Sequence, residues 1–109
     1  MPNRIDNSDP QLWTVKAFFE AVSDHNFSSV MVEVLSGRNY GINDAGCEFP
    51  TAEDPFEGVR FWVLHDEVII SVAEFHRFVR EACAAQAKRL PQQADALEAV
   101  LAKLPPTAP

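Results

Sequence analysis

Hydrophobic positions change their spacing several times along this chain, and each change marks a new element. Leu12, Val15, Phe18, Phe19 and Val22 recur at steps of three and four, the pattern of one buried helical stripe. Trp13 and Ala17 stand beside that stripe, while Lys16, Glu20 and Asp24 turn to water. Ser8 and Gln11 have capping-box spacing and Pro10 suits an early helical position, so a helix is predicted from there to about Asp24. From Ser29 to Leu35 the period shifts to two. Val30, Val32 and Val34 alternate with Met31, Glu33 and Leu35, and β-branched valines favour a pleated surface, so a strand is predicted. Ser36-Gly37-Arg38-Asn39 breaks it.

Between Asn39 and Gly58 the pattern is irregular, with Pro50 and Pro55 interrupting, although Cys47-Glu48-Phe49 can pair as a short edge strand. Alternation returns at Val59, Phe61 and Val63, and His65-Asp66 reads as a two-residue turn into a second strand over Glu67 to Ile70, a hairpin. Ser71-Val72-Ala73-Glu74 is a capping box, and Ile70 and Phe75 hold the positions of a hydrophobic staple. The helix they start buries Phe75, Phe78, Val79, Ala82 and Cys83 and runs to about Arg89. Pro91 begins another, with Ala94, Leu97, Val100, Leu101 and Leu104 at helical spacing until Pro105-Pro106. The order is α-β-(loop)-β-β-α-α: an α+β fold with a small, mostly antiparallel sheet packed with three helices.

Length and composition narrow the function classes. One domain, residues 1–109, fits the length, and 47% apolar with 23% charged residues is a globular composition. No run of eighteen apolar residues is present, and the polar start MPNRIDNSDP lacks the apolar stretch of a secretory signal, so a cytoplasmic location is expected and no membrane contact. Two cysteines without CxxC spacing fit the same compartment. A net charge of −7 is the wrong sign for gripping phosphate backbones, so direct nucleic-acid binding is not expected.

Candidate chemistry is sparse. His25, His65 and His76 fall on different elements without an HxxxH pair, so neither a metal nor another cofactor is expected. His65 and His76 read as solvated surface. Cys83 lies seven residues after His76, about 10 Å along a helix axis and too far for a hydrogen bond, so it reads as core. Cys47 precedes Glu48, which disfavours a thiolate. No glycine-rich phosphate loop occurs. Catalysis is therefore not expected.

The acids carry more information. From Asn43 to Val68 stand Asp44, Glu48, Glu53, Asp54, Glu57, Asp66 and Glu67 against one base, Arg60, a local charge of −6. The flanking segments are −2 and +1. Like charges crowded together repel, so the cluster costs stability unless a cationic partner uses it. A solvated loop and a docking face both account for it. Tyr40, Phe49, Phe56 and Trp62 lie among the acids, as aromatic anchors do in protein interfaces, although each is individually expected in the core.

The run CEFP at Cys47 to Pro50, the acids that follow, FEGVRFW at Phe56 to Trp62 and EVIISVAEFHRFVREAC at Glu67 to Cys83 resemble the small immunity proteins of contact-dependent growth inhibition, the CdiI family, in particular those that oppose ribonuclease toxins. The resemblance implies a cytoplasmic, toxin-binding protein. Its implied partner is the C-terminal ribonuclease domain of a CdiA toxin, commonly a tRNase, bound as a monomer in a 1:1 complex that blocks the nuclease site. Charge clustering, not the family, selects the expected toxin-binding residues: Asp44, Glu48, Glu53, Asp54, Glu57, Asp66 and Glu67 for Lys, Arg or His, with Tyr40 and Phe56 as anchors. Arg60 and Arg38 are expected to brace the acidic loop. An acidic interaction or regulatory module with an unrelated basic partner accounts for the same face.

Overall fold

The computed structural model describes residues 4–5 and 9–105. Asp9 opens the first helical segment, its carboxylate accepting from the Gln11 backbone N–H at 2.9 Å. A 3-10 turn over Pro10–Leu12 then leads into α1 (Trp13–Ala21). Ser8, the expected cap, lies outside the described residues, and the observed cap is Asp9. The helix stops short of Asp24 because Val22 adopts extended backbone angles. Phe18, Phe19 and Val15 are fully buried as the spacing predicts, whereas Trp13 is 45% exposed.

The predicted strand at Ser29 to Leu35 is a helix, α2 (Phe27–Leu35). Phe27, Val30, Met31 and Val34 stand three, one and three residues apart and are all buried, while Val32 faces outward. The alternating valines disguised that helical stripe. Burial of four apolar side chains, each contributing about 1.5–3 kcal/mol, outweighs a propensity difference of a few tenths per residue. Gly37 (φ +83°) ends the helix: its N–H donates to the Val34 carbonyl at 3.1 Å and the Arg38 N–H to the Glu33 carbonyl at 3.2 Å. This double closure satisfies the helix's last carbonyls and needs the left-handed backbone that glycine supplies.

The stretch that looked irregular contributes half of the sheet. Strands β1 (Tyr40–Ile42), β2 (Ala45–Glu48), β3 (Val59–Val63) and β4 (Asp66–Ile70) pair antiparallel in chain order. Of the segment expected as an edge strand, Cys47-Glu48-Phe49, the first two residues end β2, which lies between β1 and β3, and Phe49 follows it. The β3–β4 turn is Leu64-His65, one residue earlier than expected, with Leu64 at φ +55°. Helix α3 (Val72–Arg89) starts where the sequence places it, with Ser71 Oγ accepting from the Glu74 N–H at 3.0 Å. A 3-10 turn over Pro91–Gln93 leads to α4 (Ala94–Leu101). The fold is α+β as expected, with a fourth helix in place of the first predicted strand.

Helix α1 packs across β2, β3 and β4, and the rings of Phe18, Phe19, Phe61 and Phe75 meet at centroid distances of 5.4–6.1 Å. The other side of the junction is polar. Arg4 is 1% exposed, and its Nη1 donates to the carbonyls of Phe19 and Val22 at 2.6 Å each. Its Nε donates to Gln86 Oε1 at 2.9 Å, its Nη2 to Asp24 at 2.8 Å, and its guanidinium lies 4.4 Å from the Phe27 ring centre. Desolvation lowers the Arg4 pKa, opposed by the Asp24 carboxylate. Arg89 and the Gln86 amide also donate to Asp24. Glu20, expected in water, is buried and accepts the Arg4 backbone N–H at 2.8 Å. One guanidinium thus caps the end of α1 and joins it to α2 and α3.

Candidate functional site

Pairing register sorts the sheet into two faces. Tyr40, Cys47, Phe61 and Val68 form one cross-strand row directed at the core, where Tyr40 meets the Phe18 ring at 6.4 Å. The rows on either side alternate to the opposite face: Gly41, Gly46, Trp62 and Glu67 in one, Glu48, Arg60 and Ile69 in the other. Of these outward residues only Gly46 is buried. Ile69 is 44% exposed, and Leu64 at the turn 66%.

Two constructions organise this face. In the first, a Cβ at Gly46 would stand 2.5 Å from Cε2 and Cζ2 of Trp62, and one at Gly41 3.8 Å from Cζ2. The indole therefore lies across β2, in space that only glycine leaves open. In the second, Arg60 is a hub among acids. Its Nε donates to Glu48 at 3.0 Å, its Nη2 to Asp54 at 2.5 Å, and Glu67 approaches Nε at 3.8 Å. Its guanidinium stacks 4.6 Å from the Phe56 ring centre. Hydrogen bonds to Asp54 and Glu48 raise the Arg60 pKa further above its ordinary value. The Thr51 N–H donates to the Asp54 carbonyl at 3.1 Å, and the Asp54 N–H to Thr51 Oγ1 at 3.0 Å. Residues 49–58 are thereby folded against β3 despite having no regular structure.

Of the residues singled out by charge, Glu48, Asp54 and Glu67 converge on Arg60 together with Phe56. Glu53 and Glu57 are exposed on the neighbouring segment. Asp44 and Asp66 are exposed at the turn end of the sheet, where the Leu64 N–H donates to the Asp44 carbonyl at 2.8 Å. Tyr40 is on the opposite face from Glu48 and Glu67, and Asp66, two residues before Val68, shares the Tyr40 side of the sheet. Arg60 braces the acidic loop as expected; Arg38 pairs instead with Glu33 at 3.3 Å. Trp62 is the residue that charge clustering passed over. Its signal was present: alternation puts it on the same face as Arg60, and two glycines in the preceding hairpin leave room for an indole.

The remaining reactive groups offer little chemistry. Cys47 and Cys83 are buried free thiols; burial and the Glu48 charge raise the first, and burial pushes the second up to about 12. Thiolates are disfavoured at both. His76 is half-buried, not solvated. It lines a depression of about 360 Å³ between the end of α2 and the start of α3, and burial together with Arg80 lowers its pKa. Among the described residues no three His, Cys, Asp or Glu side chains converge as metal ligands would. No helix among them is long and apolar enough to cross a membrane.

The sequence profile of a family described as CDI immunity protein matches residues 11–101. No curated protein matches the chain. The profile runs from within the first helical turn to the end of α4.

Proposed function

The chain belongs to the CDI immunity protein family, and from that premise we propose that it neutralises a basic ribonuclease toxin domain, a tRNase in particular, by docking the outer face of its sheet over the nuclease site. The observation that carries the reading is the convergence of Glu48, Asp54 and Glu67 on Arg60 at the outer face of the sheet, within a segment of net charge −6. A nuclease presents cations where it holds substrate phosphates, and carboxylates from Glu48, Glu53, Asp54, Glu57 and Glu67 can replace phosphate oxygens there. Asp44 and Asp66 extend the negative field to the turn end, and Phe56 adds aromatic surface beside it. Long-range attraction speeds encounter, which suits a protein that must capture toxin before RNA is cut. A cytoplasmic location, a 1:1 stoichiometry and a binding rather than catalytic role complete the proposal.

Co-expression with a candidate CDI toxin domain tests it. Rescue of growth and a complex that weakens as salt rises are expected; absence of both refutes the toxin reading. Reversing Glu53 and Asp54 to lysine is expected to slow association, chiefly at low ionic strength, without unfolding the protein. An unchanged association rate places the docking face elsewhere. Rescue without RNA protection in a tRNA-cleavage assay removes the ribonuclease assignment.

A further inference from the structure

We infer that Trp62 and Glu67 together form a seat for a guanidinium group, so that the partner residue at the centre of the outer face is an arginine; this rests on the docking reading above. The indole packs over β2 at Gly46 and is half-buried, so part of its surface is open to a partner. Glu67 is its cross-strand neighbour on β4, with a side chain 61% exposed. At 3.8 Å from Arg60 Nε it is held more loosely than Glu48 at 3.0 Å or Asp54 at 2.5 Å, so its lone pairs remain available.

The chain already shows what such a pair holds. Arg60 stacks on Phe56 while donating to Glu48 and Asp54, and Arg4 stacks on Phe27 while donating to Asp24. Trp62 and Glu67 repeat the aromatic and the carboxylate on the same face as Arg60. Among the described residues no cation of this chain stacks on that indole. A planar guanidinium satisfies both groups at once, stacking through its face and donating through its edge. An ammonium is a strongly hydrated point charge that cannot do both. The net charge of −6 over residues 43–68 favours a cation over a neutral aromatic occupant.

The seat is tested first with probes. Isotope-labelled protein is titrated with Ac-Gly-Arg-Gly-NH2 and Ac-Gly-Lys-Gly-NH2 at matched ionic strength, following the indole N–H resonances of Trp62 and of Trp13 as control. The arginine peptide is expected to shift Trp62 at least about threefold more than the lysine peptide does, with little effect on Trp13 and a reduced effect in Glu67→Gln. Equal responses to the two peptides, or equal responses of the two indoles, overturn the proposal. In the toxin complex, Trp62→Leu is expected to weaken binding about 5- to 30-fold, with partial recovery in Trp62→Phe, circular dichroism verifying the fold. Weakening by Glu53→Lys/Asp54→Lys without weakening by Trp62→Leu overturns the seat and leaves the docking face standing. If neither variant weakens the complex, both fail. If no complex forms, the docking reading fails and the peptide titration alone decides the seat.

Discussion

Replacing Gly46 by alanine perturbs the outer face at its centre while adding one methyl group. That methyl would stand 2.5 Å from Cε2 and Cζ2 of Trp62 and 2.6 Å from Nε1. Comfortable carbon–carbon contact is about 3.5–4.0 Å, so either the indole or strand β2 must move by about 1 Å. Shifting β2 disturbs its ladders to both β1 and β3, at about 1–3 kcal/mol. Swinging the indole off the strand is the cheaper response; re-exposing about 50 Å² of ring costs about 1.2 kcal/mol at about 25 cal/mol per Å². Alanine also restricts the unfolded chain, which returns about 0.4–1 kcal/mol. The net effect expected of Gly46→Ala is therefore a loss of up to about 1 kcal/mol, and its context dependence is more telling than its size. In a Trp62→Ala background the obstruction is gone, and the same substitution should be neutral or stabilising by about 0.5 kcal/mol. Urea unfolding of the four proteins, followed by circular dichroism, gives a coupling energy of about 1 kcal/mol if the indole rests on Gly46. Additivity within about 0.3 kcal/mol would falsify the seating of Trp62 on β2, and with it the geometry of the guanidinium seat.

Three further outcomes test the rest of the structure. Arg4→Met leaves Asp24, Gln86 and the Phe19 and Val22 carbonyls without their shared donor, and is expected to cost about 3–5 kcal/mol. Ser71→Ala removes one cap and is expected to cost about 1 kcal/mol, lowering the melting temperature by about 4–8 °C with toxin binding unchanged. An Arg4→Met melting shift no larger than that of Ser71→Ala contradicts the cap-and-clamp role of Arg4. Hydrogen bonding from Arg89, then from Gln86 and Arg4, lowers the Asp24 pKa from 3.8 to about 2. A depressed carboxylate pKa contributes stability above the unfolded value that is lost as pH falls from about 4 to about 2. Because the side chain is 44% exposed, solvent screening reduces the contribution to about 1 kcal/mol. Asp24→Asn should flatten that part of the stability profile, and an unaltered acid limb would remove Asp24 from the account.

The elements that were legible in the sequence are those whose signals are local. Ser71, Glu74, Ile70 and Phe75 define the start of α3 within six residues, and the structure places the cap where they predict it. The alternation at Val59, Phe61 and Val63 likewise fixes β3. Failure came where two periods overlap. Val30, Val32 and Val34 satisfy a strand template, yet Phe27, Val30, Met31 and Val34 satisfy a helical one, and only burial against the rest of the chain chooses between them. Arg4 was illegible for another reason. Its partners are up to 82 residues away in sequence, and no short pattern announces that a cation near the chain start will fill the end of α1. The same distinction divides the candidate site. Net charge identified Glu48, Asp54 and Glu67, but the role of Arg60 as their common partner depends on β2–β3–β4 register, and the seating of Trp62 depends on a glycine in a different strand.

That division bears on how an acidic face can exist in a protein this small. Seven carboxylates in one quarter of the chain repel one another, and Arg60 is the one cation within the segment. It meets three of the seven, holding the 49–58 segment against β3 and reducing repulsion where the acids are closest. Asp44, Glu53, Glu57 and Asp66 are left exposed to solvent. The free protein therefore carries a repulsion that a cationic partner relieves, and this links affinity to folding stability with opposite signs. Added salt, with a screening length near 10 Å at about 0.1 M, weakens the repulsion and should stabilise the free protein. The same screening weakens attraction to a basic partner and should destabilise the complex. Holding Asp54, Glu48 and Phe56 in fixed geometry around one guanidinium steadies the segment in the free protein. On the docking reading proposed above, the same preorganisation lowers the ordering cost of binding.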